Sequence, residues 1–279
     1  MATAFTEITD WDDAYANAPY IPGSDGFPER RAAKAAACRD GLIAKGRAEL
    51  DIAYGPHDRQ RYDLFRPEAA PKGTLVFVHG GYWLRFDKSF WSNLAEGGLS
   101  AGYAVAMPSY PLAPEASIPE ITASIGKAIE GVAGSTDGPI LLAGHSAGGH
   151  LVSRMMCQTS PLRPQVKERI TRVVSISGVH DLRPLMKTAM SADLQLDTDV
   201  CTAESPALLM PEPGLEIVCW VGADERPEFV RQNALLANAW TGLGAKTMTV
   251  EEPGRHHLDV IDGLEDANSG LMHAVLGLH

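Results

Sequence analysis

Three features of the sequence predict an α/β architecture, with a mostly parallel central sheet, an antiparallel N-terminal hairpin and helices on both faces. Two alternating segments open the sheet region, short apolar runs follow, and stretches of helical spacing separate those runs. Strands buried on both faces read as continuous apolar runs, and parallel pairing needs long crossovers of the kind helices supply.

The elements follow in order. The first 45 residues are Ala-rich and mixed in charge, broken once at Tyr20-Ile21-Pro22-Gly23, and residues 28–45 read as a helix with Ala on one side and Arg/Lys on the other. From Ala48 to Tyr54 apolar and polar residues alternate, Gly55-Pro56-His57-Asp58 is a turn, and Arg61–Phe65 alternates again, which together predict a hairpin. Thr74–Val78 is a buried strand, and 89–101 reads as a helix ending at Gly102. Tyr103–Met107 is the next buried strand, closed by Pro108. Ile118, Ile121, Ile125, Ala128, Ile129 and Val132 recur at helical spacing. Pro139–Ala143 is a third strand, followed by a helix from Ala147. Val173–Ser177 and Leu215–Val221 are further strands; a helix over 228–240 and a strand over Lys246–Val250 complete the series. No internal repeat or low-complexity linker interrupts the chain, so 1–279 is expected to form a single domain, with 1–45 a helical extension packed on or near the active-site face.

Composition narrows the function. The chain has 279 residues, 45% of them apolar and 21% charged, in the range of a globular enzyme. Its 24 Lys+Arg against 35 Asp+Glu give a formal net charge of −11, with no basic run to release phosphate counterions, so no nucleic-acid or anionic-membrane partner is expected. No apolar stretch is long enough for a membrane span, and the first residues lack the basic and apolar regions of a signal peptide. Cys38, Cys157, Cys201 and Cys219 are scattered without CxxC or zinc spacing, which points to reduced thiols in a cytoplasmic protein. A homodimer is compatible with all of this.

The chemistry-bearing motifs fall just after predicted strands, where sites in parallel sheets form. Gly144-His145-Ser146-Ala147-Gly148 fits G-x-S-x-G between a buried strand and a helix. Small neighbours let the chain turn sharply at Ser146, and the helix N-terminus favours negative charge near its Oγ. His79-Gly80-Gly81-Tyr82-Trp83 follows the 74–78 strand, and its glycines allow close backbone approach to a reacting carbonyl. The N–H groups of Gly81, Tyr82 and Ala147 are the expected oxyanion donors. A serine nucleophile also needs an imidazole base and a carboxylate to orient it. Asp224 and Glu225 follow the 215–221 strand, and His256 and His257 follow the 246–250 strand, so each role has two candidates. His145 and His150 lack a metal-site spacing, and no metal or other cofactor is expected. Trp83, Phe86, Phe90 and Trp91, with His145, are candidates to line a substrate pocket.

These motifs resemble the α/β-hydrolase family of kynurenine formamidases (arylformamidases) and their bacterial esterase relatives, and the likeness covers most of the chain. Tyr54-Gly55 and Asp63-Leu64-Phe65 resemble its opening hairpin, and Ser177-Gly178, Asp181–Leu185 and Ser205-Pro206 resemble its segment after the 173–177 strand. Ser109–Glu115 is similar to the Y-R-L-A-P stretch of broader esterases, with Pro111 in place of Arg. The resemblance implies an α/β-hydrolase fold and a Ser146, Glu225, His257 triad. The family's D/E-x-P-x-F run matches Glu225-Arg226-Pro227-Glu228-Phe229 and selects Glu225 over Asp224; its H-F-like pair matches His257-Leu258 and selects His257 over His256, with Leu258 replacing an aromatic. The implied activity is arylformamide hydrolysis on an N-formylkynurenine-like small molecule. A carboxylesterase for short-chain or aryl esters is the alternative, and a non-catalytic ligand-binding relative a remote one, since all three catalytic roles are filled.

Overall fold

The chain forms one eight-stranded sheet in the order β1-β2-β4-β3-β5-β6-β7-β8 in a computed structural model that describes residues 7–278. The strands are β1 (Ala48–Ala53), β2 (Arg61–Phe65), β3 (Thr74–Val78), β4 (Ala104–Pro108), β5 (Ile140–His145), β6 (Ile170–Ile176), β7 (Glu216–Gly222) and β8 (Lys246–Glu252). β1 and β2 pair antiparallel, β2 joins β4 antiparallel, and every later pairing is parallel. Residues 1–6 of the N-terminal extension and His279 lie outside the described residues.

The helices are α1 (Trp11–Tyr15), α2 (Phe27–Ala44), α3 (Glu96–Ser100), α4 (Ile118–Ser135), α5 (Ala147–Arg154), α6 (Pro164–Lys167), α7 (Thr198–Glu204), α8 (Pro227–Gly242) and α9 (Gly270–Leu276). Side chains alternate across each strand, so one strand feeds two cores. Val76 and Val78 of β3 join Ile121, Ile125 and Ile129 of α4, Leu151 of α5 and Trp240 of α8 on one face. Leu75 and Phe77 join Leu42 of α2 and Leu271, Met272 and Val275 of α9 on the other. The apolar spacing of α4 thus becomes its buried stripe, and a Ser117–Glu120 capping box starts that helix.

Two sequence expectations are corrected. Residues 89–101 do not form one helix but two 3₁₀ turns, Lys88–Phe90 and Ser92–Ala95, before α3. Ser89, Ser92 and Asn93 are weak helix formers, and Asp87 caps Ser89 N–H at 2.7 Å, which favours tight turns over a continuous helix. In α2 the basic residues do not all face outward: Arg31 is buried, bonded to Asp262 at 2.6 Å, with its guanidinium 5.1 Å from the Phe27 ring centre. Its charge is paired and its flat group stacks, which is how Arg tolerates burial. The four cysteines are free thiols, three of them buried. Among the described residues no helix is long and apolar enough to cross a membrane.

Candidate active site

The loops leaving β3, β5, β6, β7 and β8 meet at the carboxyl edge of the sheet. Ser146 follows β5 at φ 55° and ψ −116°, a strained conformation for a non-glycine residue, and immediately precedes α5. The glycines around it are required by space. A Cβ on Gly148 would lie 1.9 Å from the Val78 carbonyl oxygen, and one on Gly144 would lie 2.2 Å from that of Gly148. The Ser146 N–H donates to the Ile176 carbonyl at 2.8 Å, fixing the turn to the neighbouring strand.

The 79–86 loop sits beside this turn: a Cβ on Gly80 would come within 2.9 Å of Ser146 Cβ. His79 stacks on Tyr110 with ring centres 4.4 Å apart, and its Nδ1 donates to the Gly80 carbonyl at 2.7 Å. Burial holds His79 neutral, its pKa lowered to about 4. Pinning the Gly80 carbonyl turns the Gly81 N–H, on the other side of the same peptide, away from His79. Gly81 has φ 118° and Tyr82 φ 55°, and the carbonyl of Gly81 caps the turn by accepting from Leu84 and Arg85 N–H. Among the described residues Gly81 and Tyr82 N–H donate to no other backbone group, and Ala147, first in α5, has no intrahelical acceptor for its own. These donors suit a developing oxyanion.

Glu225 and His257 are both buried and form one pair, His257 Nδ1 to Glu225 Oε2 at 2.6 Å. The other carboxylate oxygen accepts from Ser177 Oγ at 2.5 Å and Gly222 N–H at 2.9 Å. Their neighbours in sequence point elsewhere. Asp224 is exposed, while His256 Nδ1 lies 3.0 Å from Asp259. His145, the residue before Ser146, donates from Nε2 to the His257 carbonyl at 2.9 Å, and the two rings lie 4.6 Å apart. Burial, reinforced by the neighbouring His257, pushes the His145 pKa well below the ordinary range and keeps it neutral. His145 therefore braces His257. Phe229 covers the other side of the His257 ring at 4.5 Å. No hydrogen bond joins Ser146 Oγ to His257 among the described residues; such bonds often tighten only when substrate is bound.

The aromatic candidates do not assemble into one slot. Trp83 is buried in the core under α4 and α5, edge-on to His150 at 5.2 Å. Trp91 belongs to the core on the opposite face, with Phe86 and Phe90 packed against it. Phe86 closes the 79–86 loop, its Cδ2 2.9 Å from where a Gly81 Cβ would stand, and Trp91 stacks on His79 of the same loop with ring centres 6.5 Å apart.

The N-terminal segment reaches the same edge. Tyr82 Oη donates to the Tyr15 carbonyl at 2.6 Å, Arg226 pairs with Asp13, and the Arg226 guanidinium lies 3.8 Å from the Tyr20 ring centre. Tyr15 Oη in turn donates to Glu228 at 2.8 Å. The sequence carries His79 and Ser177 inside its His-Gly-Gly and Ser-Gly motifs without signalling the contacts of either side chain, and nothing in it signals this segment's contacts.

Known proteins place the architecture. Residues 75–211 match a family model described as the alpha/beta hydrolase fold. Kynurenine formamidase of Salmo salar is 26% identical over 245 residues, covering 84% of this chain and 83% of that protein. That of Drosophila melanogaster is 27% identical over 226 residues, covering 76% and 75%. A crystal structure from Silicibacter sp., provisionally named a thioesterase, superposes with a TM-score of 0.91 at 47% identity over 96% of this chain and 99% of that one. Esterase B of Lactobacillus rhamnosis shares the fold at 20% identity and a TM-score of 0.63, covering 90% and 96%. Near-complete coverage at 47% identity, with the fold model matched across its central strands, shows that this chain belongs to the α/β-hydrolase fold family.

Proposed function

We propose that the protein is a serine hydrolase that cleaves small amide or ester bonds through an acyl-enzyme, with arylformamides of the N-formylkynurenine type as its first substrate class. The observation that carries this reading is the buried Glu225–His257 pair, braced by His145 from the same turn that presents Ser146. In this mechanism Ser146 Oγ attacks the carbonyl carbon while His257 Nε2 takes its proton. Glu225 holds the imidazole tautomer and stabilises the imidazolium. The carbonyl oxygen becomes an oxyanion held by Gly81, Tyr82 and Ala147 N–H groups. Collapse expels the arylamine with the proton from His257, and water, activated by the same imidazole, releases formate and restores Ser146. An aryl ring weakens amide resonance by drawing on the nitrogen lone pair, and a formyl carbon is unhindered, so both steps are easier than for an ordinary amide.

The formamidase class is supported by the kynurenine formamidases matched over most of their length. A second reading, ester or thioester hydrolysis, is supported by the name of the 47% identical protein. The ratio of kcat/KM for N-formylkynurenine to that for p-nitrophenyl acetate separates them. A formamidase gives the larger value on N-formylkynurenine; activity confined to esters assigns the protein to the second reading.

A further inference from the structure

Ser177 is the residue after β6, and its backbone lies at φ 52°, where glycine is the natural occupant. A glycine stands one position later at Gly178, yet the left-handed position itself carries a serine. The side chain supplies a reason. Ser177 is fully buried and its Oγ donates to Glu225 Oε1 at 2.5 Å. The backbone beside it is fixed from two sides: the Ile176 carbonyl accepts the Ser146 N–H at 2.8 Å, and the Ser177 N–H donates to the Trp220 carbonyl at 2.7 Å. One short crossing therefore touches the nucleophile turn on β5, the strand β7 that delivers the acid, and the acid itself.

Glu225 has one more rotatable bond than an aspartate, so its carboxylate needs more fixing to present one oxygen to an imidazole. Oε2 meets His257, and Oε1 is held by the Ser177 hydroxyl and the Gly222 N–H. Without the hydroxyl, the Gly222 N–H alone is left to hold Oε1 of a fully buried carboxylate whose Oε2 meets His257.

We propose that Ser177 is a positioning residue for the reaction, holding the Glu225 carboxylate in the plane that aims Oε2 at His257, and that its strained backbone is retained for this. The inference rests on the serine-hydrolase reading above. It acts through Glu225 and not on substrate, so it belongs to kcat.

Two variants separate hydroxyl from backbone. Ser177→Gly removes the hydroxyl and relieves the left-handed strain; Ser177→Ala removes the hydroxyl and keeps the strain. On an aryl ester or arylformamide that the parent enzyme cleaves, both should lower kcat about 10- to 100-fold, the usual scale for losing a partner that orients a reacting group, with KM within about twofold. Ser177→Gly should keep its Tm within about 3 °C of the parent, because relieved strain offsets the lost hydrogen bond. Unchanged kcat in Ser177→Gly, a loss in Ser177→Ala alone, or a change confined to KM overturns the inference. Ser146→Ala in the same assay keeps the two readings apart. Activity that survives Ser146→Ala overturns both, whereas Ser146-dependent activity untouched by Ser177→Gly overturns this inference alone.

Discussion

His257 Nδ1 and Glu225 Oε2 lie 2.6 Å apart, with the Glu225 side chain fully removed from solvent and only 6% of the His257 side chain exposed. The adjacent residues, Asp224 and His256, turn outward. This register gives an unequal pair of mutational expectations. Glu225→Gln should lower kcat by about 10³–10⁴, the scale set by losing the carboxylate that fixes the tautomer. Asp224→Asn should stay within about threefold. His257→Ala should approach the loss of Ser146→Ala, while His256→Ala should not. Steady-state kinetics on the four variants check the ranking, and reversal within either pair contradicts the assignment.

The 79–86 loop, proposed to hold the oxyanion, makes a second expectation. A Cβ on Gly81 would lie 2.4 Å from the Arg85 carbonyl oxygen, and its φ of 118° disfavours any side chain. Gly81→Ala must shift the loop and misalign its donors, and losing one donor costs about 10²–10³ in kcat. Kinetics should show the loss in kcat; an effect on KM alone would place this loop in ground-state binding.

Trp83 separates packing from recognition. It is 1% exposed and contacts His150 at 5.2 Å inside the core. Trp83→Ala should destabilise the fold by about 3–5 kcal/mol, as truncation of a buried aromatic does. Urea unfolding measures this. A variant of parental stability with altered substrate preference would return Trp83 to the pocket.

Stability should fall as pH drops below neutrality. Burial lowers the pKa of His79 and His150 to about 4 and of His180 to about 3, from an ordinary value of 6.5. The unfolded chain binds these protons first, so stability is fully present above about pH 6.5 and is lost as pH falls toward the folded values. Each group contributes about 1.4 kcal/mol per pH unit in that window. Urea unfolding at about pH 7 and about pH 5 should differ by several kcal/mol; a flat profile contradicts neutral burial of these rings.

Acyl size tests the substrate class. One aryl leaving group carrying formyl, acetyl, butyryl and octanoyl chains should be cleaved fastest at the short end, because Ser146 is 2% exposed and the 79–86 loop sits against it. Rates that climb toward octanoyl would contradict the formamidase reading and favour a lipase-like esterase.

Much of this arrangement is legible in the sequence because the central parallel strands β3, β4 and β5 are buried on both faces and the candidate Ser, Glu and His follow strands directly. The hairpin is legible from alternation alone. The 88–100 region is not, since its Ser, Asn and Gly residues encode local turns that helical spacing conceals. The choice between Asp224 and Glu225 depends on how the chain turns after β7, which no periodicity reports. The role of Ser177, visible only as part of a Ser-Gly pair, is hidden for a different reason: it lies in a left-handed φ and in a contact 48 residues away. The link from Arg226 to Asp13 spans 213 residues, a contact that no local pattern reports.

The central claim is that Ser146 is an activated nucleophile. Treating the purified protein with an aryl or fluorinated organophosphonate and mapping the adduct by peptide mass spectrometry tests it most directly. The account predicts stoichiometric labelling on Ser146, absent in Ser146→Ala and strongly slowed in His257→Ala. A protein left unlabelled, or labelled at another residue with Ser146 untouched, would contradict it.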